Sequence, residues 1–182
     1  MGQDDAIFTI GYGGRSITAF LDLLERHGIL LLVDIRSRPH SRFSPDFSRQ
    51  ALCVHLEERG VAYTYMGAEL GGMPEGHRMG DGRIDDTSVR ASRPFQDGLR
   101  RLASLAGRQR TAVMCAELRP EACHRSRLVG AALAENGIPV RHVDERGGLV
   151  SQGAAMRRLT HGQVRLDAVP QREPHLCVGW LF

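Results

Sequence analysis

Apolar positions in this chain fall into short runs whose period changes along its length. Ile7 to Ile10 is a β-rich run that ends in Gly11-Tyr12-Gly13-Gly14, and Ser16 then precedes Ile17, Phe20, Leu21 and Leu24, an apolar stripe at i, i+3, i+4 and i+7. The pattern predicts a strand, a glycine turn and a capped helix. Gly28 closes that helix, and Leu30 to Ile35 is apolar throughout except at Asp34, as a parallel strand covered on both faces would be. After a polar loop from Ser37 to Asp46, Ser48 is placed to cap a second helix that turns Leu52 and Leu56 inward. Val61 to Met66 then alternates as a third strand.

Residues 67 to 93 break the rhythm. They hold six glycines and show no helical or strand period, which predicts a long loop, and its glycine density suits a lid over a site. Phe95, Leu99, Leu102, Ala103 and Ala106 mark a third helix, Thr111 to Ala116 a fourth strand, Pro120 to Asn136 a fourth helix and Val140 to Val143 a fifth strand. Pro120 suits a first helical position and Gly137 a C-terminal cap. Five strands alternating with helices predict an α/β fold: a mostly parallel five-stranded sheet, order 3-2-1-4-5, helices on both faces, Rossmann-like. Residues 1–146 read as a single domain. Residues 147–182 read as a tail packed on the domain or at an oligomer interface, with a strand candidate at Val164 to Val169 and an apolar end from Leu176 to Phe182.

Composition narrows the chemistry. The chain has 182 residues, 42% of them hydrophobic and 25% charged, which is ordinary for a globular protein. All 24 residues counted as Lys+Arg are arginine, which excludes Schiff-base catalysis, pyridoxal phosphate attachment and the P-loop lysine. What remains is a supply of planar, bidentate donors suited to phosphate and carboxylate. A formal charge of +3 is too small to establish nucleic acid as a partner. The longest apolar run, Ile29 to Val33, is far short of the ~20 residues of a membrane span, and the first residues lack the regions of a signal peptide. The expectation is a cytoplasmic protein with no membrane partner, a homo-oligomer being left open. Cys53, Cys115, Cys123 and Cys177 contain no CxxC pair and are expected to be reduced thiols.

In such folds ligands bind beyond the carboxyl ends of the strands, at the point where strand order reverses, expected here between strands one and four. The unusual residues converge on that rim: Gly11-Tyr12-Gly13-Gly14-Arg15-Ser16 after strand one, Asp34-Ile35-Arg36-Ser37-Arg38-Pro39-His40 after strand two, and Cys115-Ala116-Glu117 after strand four. On the fourth helix, His124 and Arg125 lie one turn before Leu128 and Val129 on the inward face. Gly11, Tyr12, Gly13, Gly14, Arg36, Arg38 and Arg125 are therefore expected to hold an anion, phosphate or sulfate first. Asp34 and Glu117 would be the acid/base or nucleophile pair, with His124 as proton donor. For each residue alone a structural role is at least as good: Asp34 can cap its loop, Glu117 can pair with Arg36 or Arg125, and Cys115 and Cys123 can be packing positions. Gly11-Tyr12-Gly13-Gly14 is not the GxGxxG fingerprint, so no NAD cofactor is expected, and Cys-x7-Cys-His lacks paired ligand spacing, which argues against zinc.

Thr9-Ile10-Gly11-Tyr12, Val33-Asp34-Ile35-Arg36-Ser37-Arg38-Pro39, Leu70-Gly71-Gly72 and, above all, Cys115-Ala116-Glu117 followed by Cys123-His124-Arg125 resemble the domain of unknown function 488 family over roughly residues 6 to 146. The resemblance implies a compact cytoplasmic α/β domain and supports the site without naming a reaction. From the residues themselves the preferred expectation is a hydrolase or transferase working at a glycosidic or phosphoester bond of a phosphate-bearing nucleotide or nucleic acid. The alternatives are a non-catalytic module for the same ligands, or a structural or interaction domain.

Overall fold

The computed structural model describes residues 6–74, 76–77 and 79–159. Strands β1 (Ile7–Gly11), β2 (Leu31–Asp34), β3 (Ala62–Tyr65), β4 (Thr111–Cys115) and β5 (Val140–Val143) run parallel, and β6 (Leu149–Ser151) pairs antiparallel with β5. Their order is β3-β2-β4-β1-β5-β6. The fold is the mostly parallel α/β sheet expected from the alternating pattern, with two differences.

The first is that β4, not β1, lies beside β2. Consecutive strands most often neighbour each other, which favoured the order 3-2-1-4-5. Here the chain leaving β1 steps over the slot that β4 later fills. Every residue of β1, β2 and β4 is buried, so hydrophobicity alone cannot say which strand is most central. The second is β6, which starts two residues after Gly147 and leads into α7 (Gln152–Leu159). The strand candidate at 164–169 and the apolar end at 176–182 lie outside the described residues.

Alternation along the strands builds two cores. Phe8, Ile10, Leu32, Ala112 and Met114 face α1 (Ile17–Arg26) and α2 (Arg49–Glu58), meeting Phe20, Leu24, Leu52 and Leu56. Ile7, Val33 and Val113 face the other side, against Phe95, Leu99 and Leu102 of one helix and Leu128, Val129 and Ala132 further on. Ser16 caps α1 by accepting from Ala19 N at 3.2 Å. Ser48 precedes α2 but does not cap it; its hydroxyl accepts from Ser41 N at 3.2 Å and so ties down the polar loop instead.

Between β3 and β4 the chain forms α3 (Gly67–Leu70), α4 (Asp86–Ala91) and α5 (Arg93–Ala106), so the expected long loop is shorter than its lack of periodicity implied. Asp85 starts α4 by accepting from Thr87 N and Ser88 N. The fourth helix also begins later than Pro120. Residues 116–123 form a turn in which Pro120 O accepts from Cys123 N at 3.1 Å. A π-helical segment, Arg125–Gly130, follows before α6 (Ala131–Glu135). Among the described residues no helix is long and apolar enough to cross a membrane.

Candidate functional site

Strand register sets the geometry. Gly11 lies opposite Cys115, and Asp34 opposite Met114, so β1, β4 and β2 end on one level. The chain leaves β1 and β2 toward the α1 and α2 face but leaves β4 toward the opposite face. The crevice of an open α/β sheet therefore flanks β4, and the expected boundary between strands one and four survives the change in order. A cleft of about 300 Å³ opens there, lined by Tyr12, Arg36, Arg38, Cys115, Glu117 and His124 together with Ser37, His40, Gly72 and Met73. A second depression, about 310 Å³ between α6 and β6, has no ionisable group in its lining.

Asp34 is fully buried and fully engaged. Its oxygens accept from Arg36 Nη2 at 2.6 Å, Arg36 Nε at 2.9 and 3.1 Å, Arg36 N at 3.0 Å and Tyr63 Oη at 2.8 Å. Arg36 Nη1 donates to Phe47 O at 2.7 Å and to Tyr12 Oη at 3.4 Å, and its guanidinium lies 5.2 Å from the Tyr12 ring centroid. Burial opposes the Arg36 charge, but bonding to Asp34 outweighs it and raises its pKa. Burial and the Asp34 charge also raise Tyr63, which stays a donor. Asp34 thus holds Arg36 in the cleft wall, and the pair is neutral.

Arg125 is also fully buried, which gives it a task different from the expected anion contact. It donates to Glu117 O, to Leu118 O at 2.9 Å and to Thr9 Oγ1 at 3.2 Å. It therefore pins the turn after β4 to β1. The glycine turn takes part in the same joint: Tyr12 N donates to Cys115 O at 3.3 Å and Gly13 N to Ala116 O at 2.9 Å. A Cβ at Gly11 would stand 1.8 Å from Glu117 O, so glycine is needed for close approach of two chain segments. These amides are spent within the fold and do not face an anion. Gly14, at φ +69, completes the turn.

At the end of β4, three ligating side chains meet. Cys115 Sγ lies 3.6 Å and Cys123 Sγ 3.7 Å from His124 Nδ1. His124 Nε2 is 3.3 Å from Ile35 O, and since a carbonyl only accepts, Nε2 carries the proton. Nδ1, on the other side of the ring, faces both sulfurs. Backbone Arg125 N donates to Cys123 Sγ at 3.4 Å. A hydrogen bond from Cys115 lowers Cys123 to about 7, against the effect of burial and with help from the Arg125 charge. The same bond, with burial, pushes Cys115 up to about 12.

Glu117 and Arg38 are exposed at the cleft mouth, and neither side chain pairs with another described residue. Of the expected site residues, Tyr12, Arg36, Arg38, Glu117 and His124 line the cleft, whereas Asp34 and Arg125 sit behind its wall and Gly13 and Gly14 in the turn. Cys115 and Cys123, expected as packing positions because Cys-x7-Cys-His lacks paired ligand spacing, meet His124 at the end of β4. His40, in the segment expected at the rim but given no role there, also lines the cleft. Cys53, Cys115 and Cys123 are free thiols, and Cys177 lies outside the described residues.

A family model described as "Domain of unknown function DUF488" matches residues 16–132. No curated protein and no solved structure matches the chain.

Proposed function

The chain belongs to the DUF488 family, and from that premise we propose that it is an enzyme, a hydrolase or transferase, acting on a phosphate-bearing nucleotide or nucleic-acid substrate bound in the cleft beside β4. The observation that carries this reading is the convergence, in one cleft of about 300 Å³, of a guanidinium and a carboxylate without partners among the described residues and a thiol–imidazole cluster. Such a volume takes a ligand of roughly mononucleotide size.

Arg38, exposed at the mouth and without a partner among the described residues, is the group to meet the phosphate with a two-pronged contact. Arg36 contributes an edge of its guanidinium, held beside the Tyr12 ring, which itself stacks on Phe47 at 4.3 Å between centroids. Glu117 is the acid/base candidate, because its side chain is exposed and has no partner among the described residues while Asp34 accepts five hydrogen bonds. His124 Nε2–H donates to Ile35 O, so the ring serves the sulfurs rather than donating a proton into the cleft.

The engagement of Asp34 favours a second reading, binding without turnover, since it takes away one member of the expected carboxylate pair. One experiment separates the two. Nucleoside mono-, di- and triphosphates and short oligonucleotides are titrated by calorimetry and screened for product formation, with wild type, Arg38→Ala and Glu117→Gln. The enzyme reading expects Arg38→Ala to weaken binding about tenfold or more, and Glu117→Gln to bind while losing turnover. Binding without product in wild type would favour the second reading, and no binding of any probe would overturn both.

A further inference from the structure

We propose that Cys115, Cys123 and His124 bind a thiophilic divalent cation, zinc foremost, in a three-ligand site whose fourth coordination position opens into the cleft. The three ligand atoms lie within 4.8 Å of one another. A tetrahedral zinc with bonds of about 2.3 Å to sulfur and about 2.05 Å to nitrogen has sulfur–nitrogen edges of about 3.6 Å. The two edges here are 3.6 and 3.7 Å.

The surroundings are those of a ligand set rather than of packed thiols. The Ile35 carbonyl accepts a hydrogen bond from His124 Nε2–H, which favours the tautomer that presents Nδ1 to the metal and locks the ring plane. The Arg125 amide donates to Cys123 Sγ, a bond that a thiolate accepts better than a thiol. Two thiolates cancel the charge of a divalent ion, so the buried assembly is neutral, and the soft donor set selects zinc-like ions over magnesium or calcium. Cys115 and His124 both line the cleft, leaving the remaining tetrahedral direction toward substrate. Three protein ligands and one open position form the arrangement of a catalytic rather than a structural site, where a bound water titrates near 7.

Linear spacing hid this site. Cys115 ends a strand, whereas Cys123 and His124 return to it after a turn held by Arg125, so the ligands are paired by the fold and not by the sequence interval. The proposal does not rest on the anionic-substrate reading, and metal binding is measured with no substrate present.

The test uses the full chain, purified under reducing conditions, stripped with a chelator and titrated with Co²⁺ and then Zn²⁺. Wild type should bind one equivalent of Co²⁺ with a near-ultraviolet thiolate-to-cobalt charge-transfer band that Zn²⁺ abolishes. C53S and C177S should keep that band. C115S, C123S and H124Q should lose it or bind more than about a hundredfold more weakly, with folding checked by circular dichroism. The half-buried His124 gives a variant that keeps the core intact should a cysteine replacement fail to fold. A wild type without the band, or a band and stoichiometry unchanged in C115S, C123S and H124Q, would overturn the proposal.

Discussion

Thr9 Oγ1 lies 2.7 Å from His142 Nδ1, and both residues are fully buried. Their neighbours fix the direction of the bond. Gln152 Nε2 donates to Ser126 O at 3.1 Å, which turns Gln152 Oε1 toward His142 Nε2 at 2.7 Å. Nε2 therefore carries the proton and Nδ1 accepts from the Thr9 hydroxyl, whose oxygen in turn accepts from Arg125 Nε. The run from Arg125 through Thr9, His142 and Gln152 to Ser126 ties β1, β5, α7 and the π-helical segment together behind the site. It has no room for a second proton on the imidazole.

The first prediction follows. Burial, with the Arg125 charge, depresses His142 from its ordinary 6.5 to about 4. Between those values the unfolded chain binds a proton that the folded chain refuses, so stability falls with falling pH. The contribution is complete above about 6.5 and is lost progressively as pH drops toward about 4, up to about 3 kcal/mol in all. Urea midpoints measured from pH 7.5 to 4.5 should fall more steeply for wild type than for His142→Asn. Parallel curves would mean that His142 is not held neutral.

Asp34→Asn should cost stability before it costs chemistry. The change leaves a buried guanidinium without its counter-charge, and breaking such a pair from one side costs roughly 3 kcal/mol or more. Tyr63→Phe removes one neutral donor to the same carboxylate and should cost only about 1 kcal/mol. Thermal unfolding of the two variants gives the comparison. An Asp34→Asn protein as stable as wild type but inactive would return Asp34 to the acid/base role expected from its position.

Much of this arrangement could be read before the fold was known, and the reasons for the remainder are physical. Period and capping located α1, because Ser16 and the stripe from Ile17 to Leu24 obey local rules. The strand ends were legible for the same reason: glycines, charges and cysteines interrupt runs that are otherwise apolar. Strand order was not, since β1, β2 and β4 are equally buried and no local signal says which one the chain will return to fill. Nor was the work of each charged residue. Arg36 and Arg125 are both arginines near a rim, but one faces the cleft and the other is sealed behind it by carbonyls of the turn it supports. Long-range hydrogen bonds such as Arg125 to Thr9 decide that difference, and they leave no mark on sequence spacing.

Arg125 and Arg38 should accordingly separate in experiment. Arg125→Ala leaves Glu117 O, Leu118 O and Thr9 Oγ1 without their donor in the interior, a loss of about 3 kcal/mol or more. Arg38→Ala removes an exposed side chain and should change stability by less than about 0.5 kcal/mol while weakening phosphate or nucleotide binding. Melting temperature and calorimetric affinity for both variants test this together. An Arg125→Ala protein with wild-type stability and impaired anion binding would reverse the assignment.

Gly72 offers the most selective handle on the site. It lies outside the ligand cluster, but a Cβ built on it would stand 2.7 Å from both Cγ and Nδ1 of His124. Real contacts do not come that close, so Gly72→Ala must push the imidazole off its present seat against Ile35 O and the two sulfurs. The ring is half-buried and can yield, which keeps the global cost small, about 1 kcal/mol. The local cost is larger, because misplacing the orientation of a ligating histidine typically weakens metal binding about 10- to 100-fold. Gly72→Ala should therefore unfold close to wild type, yet bind Co²⁺ more weakly and with a shifted charge-transfer band. The adjacent Gly71 gives the contrast: its Cβ would meet Gly67 O and Ser37 Oγ rather than the imidazole, so Gly71→Ala should act on stability. If Gly72→Ala left both cobalt affinity and spectrum unchanged, the imidazole would not be the group that completes the site.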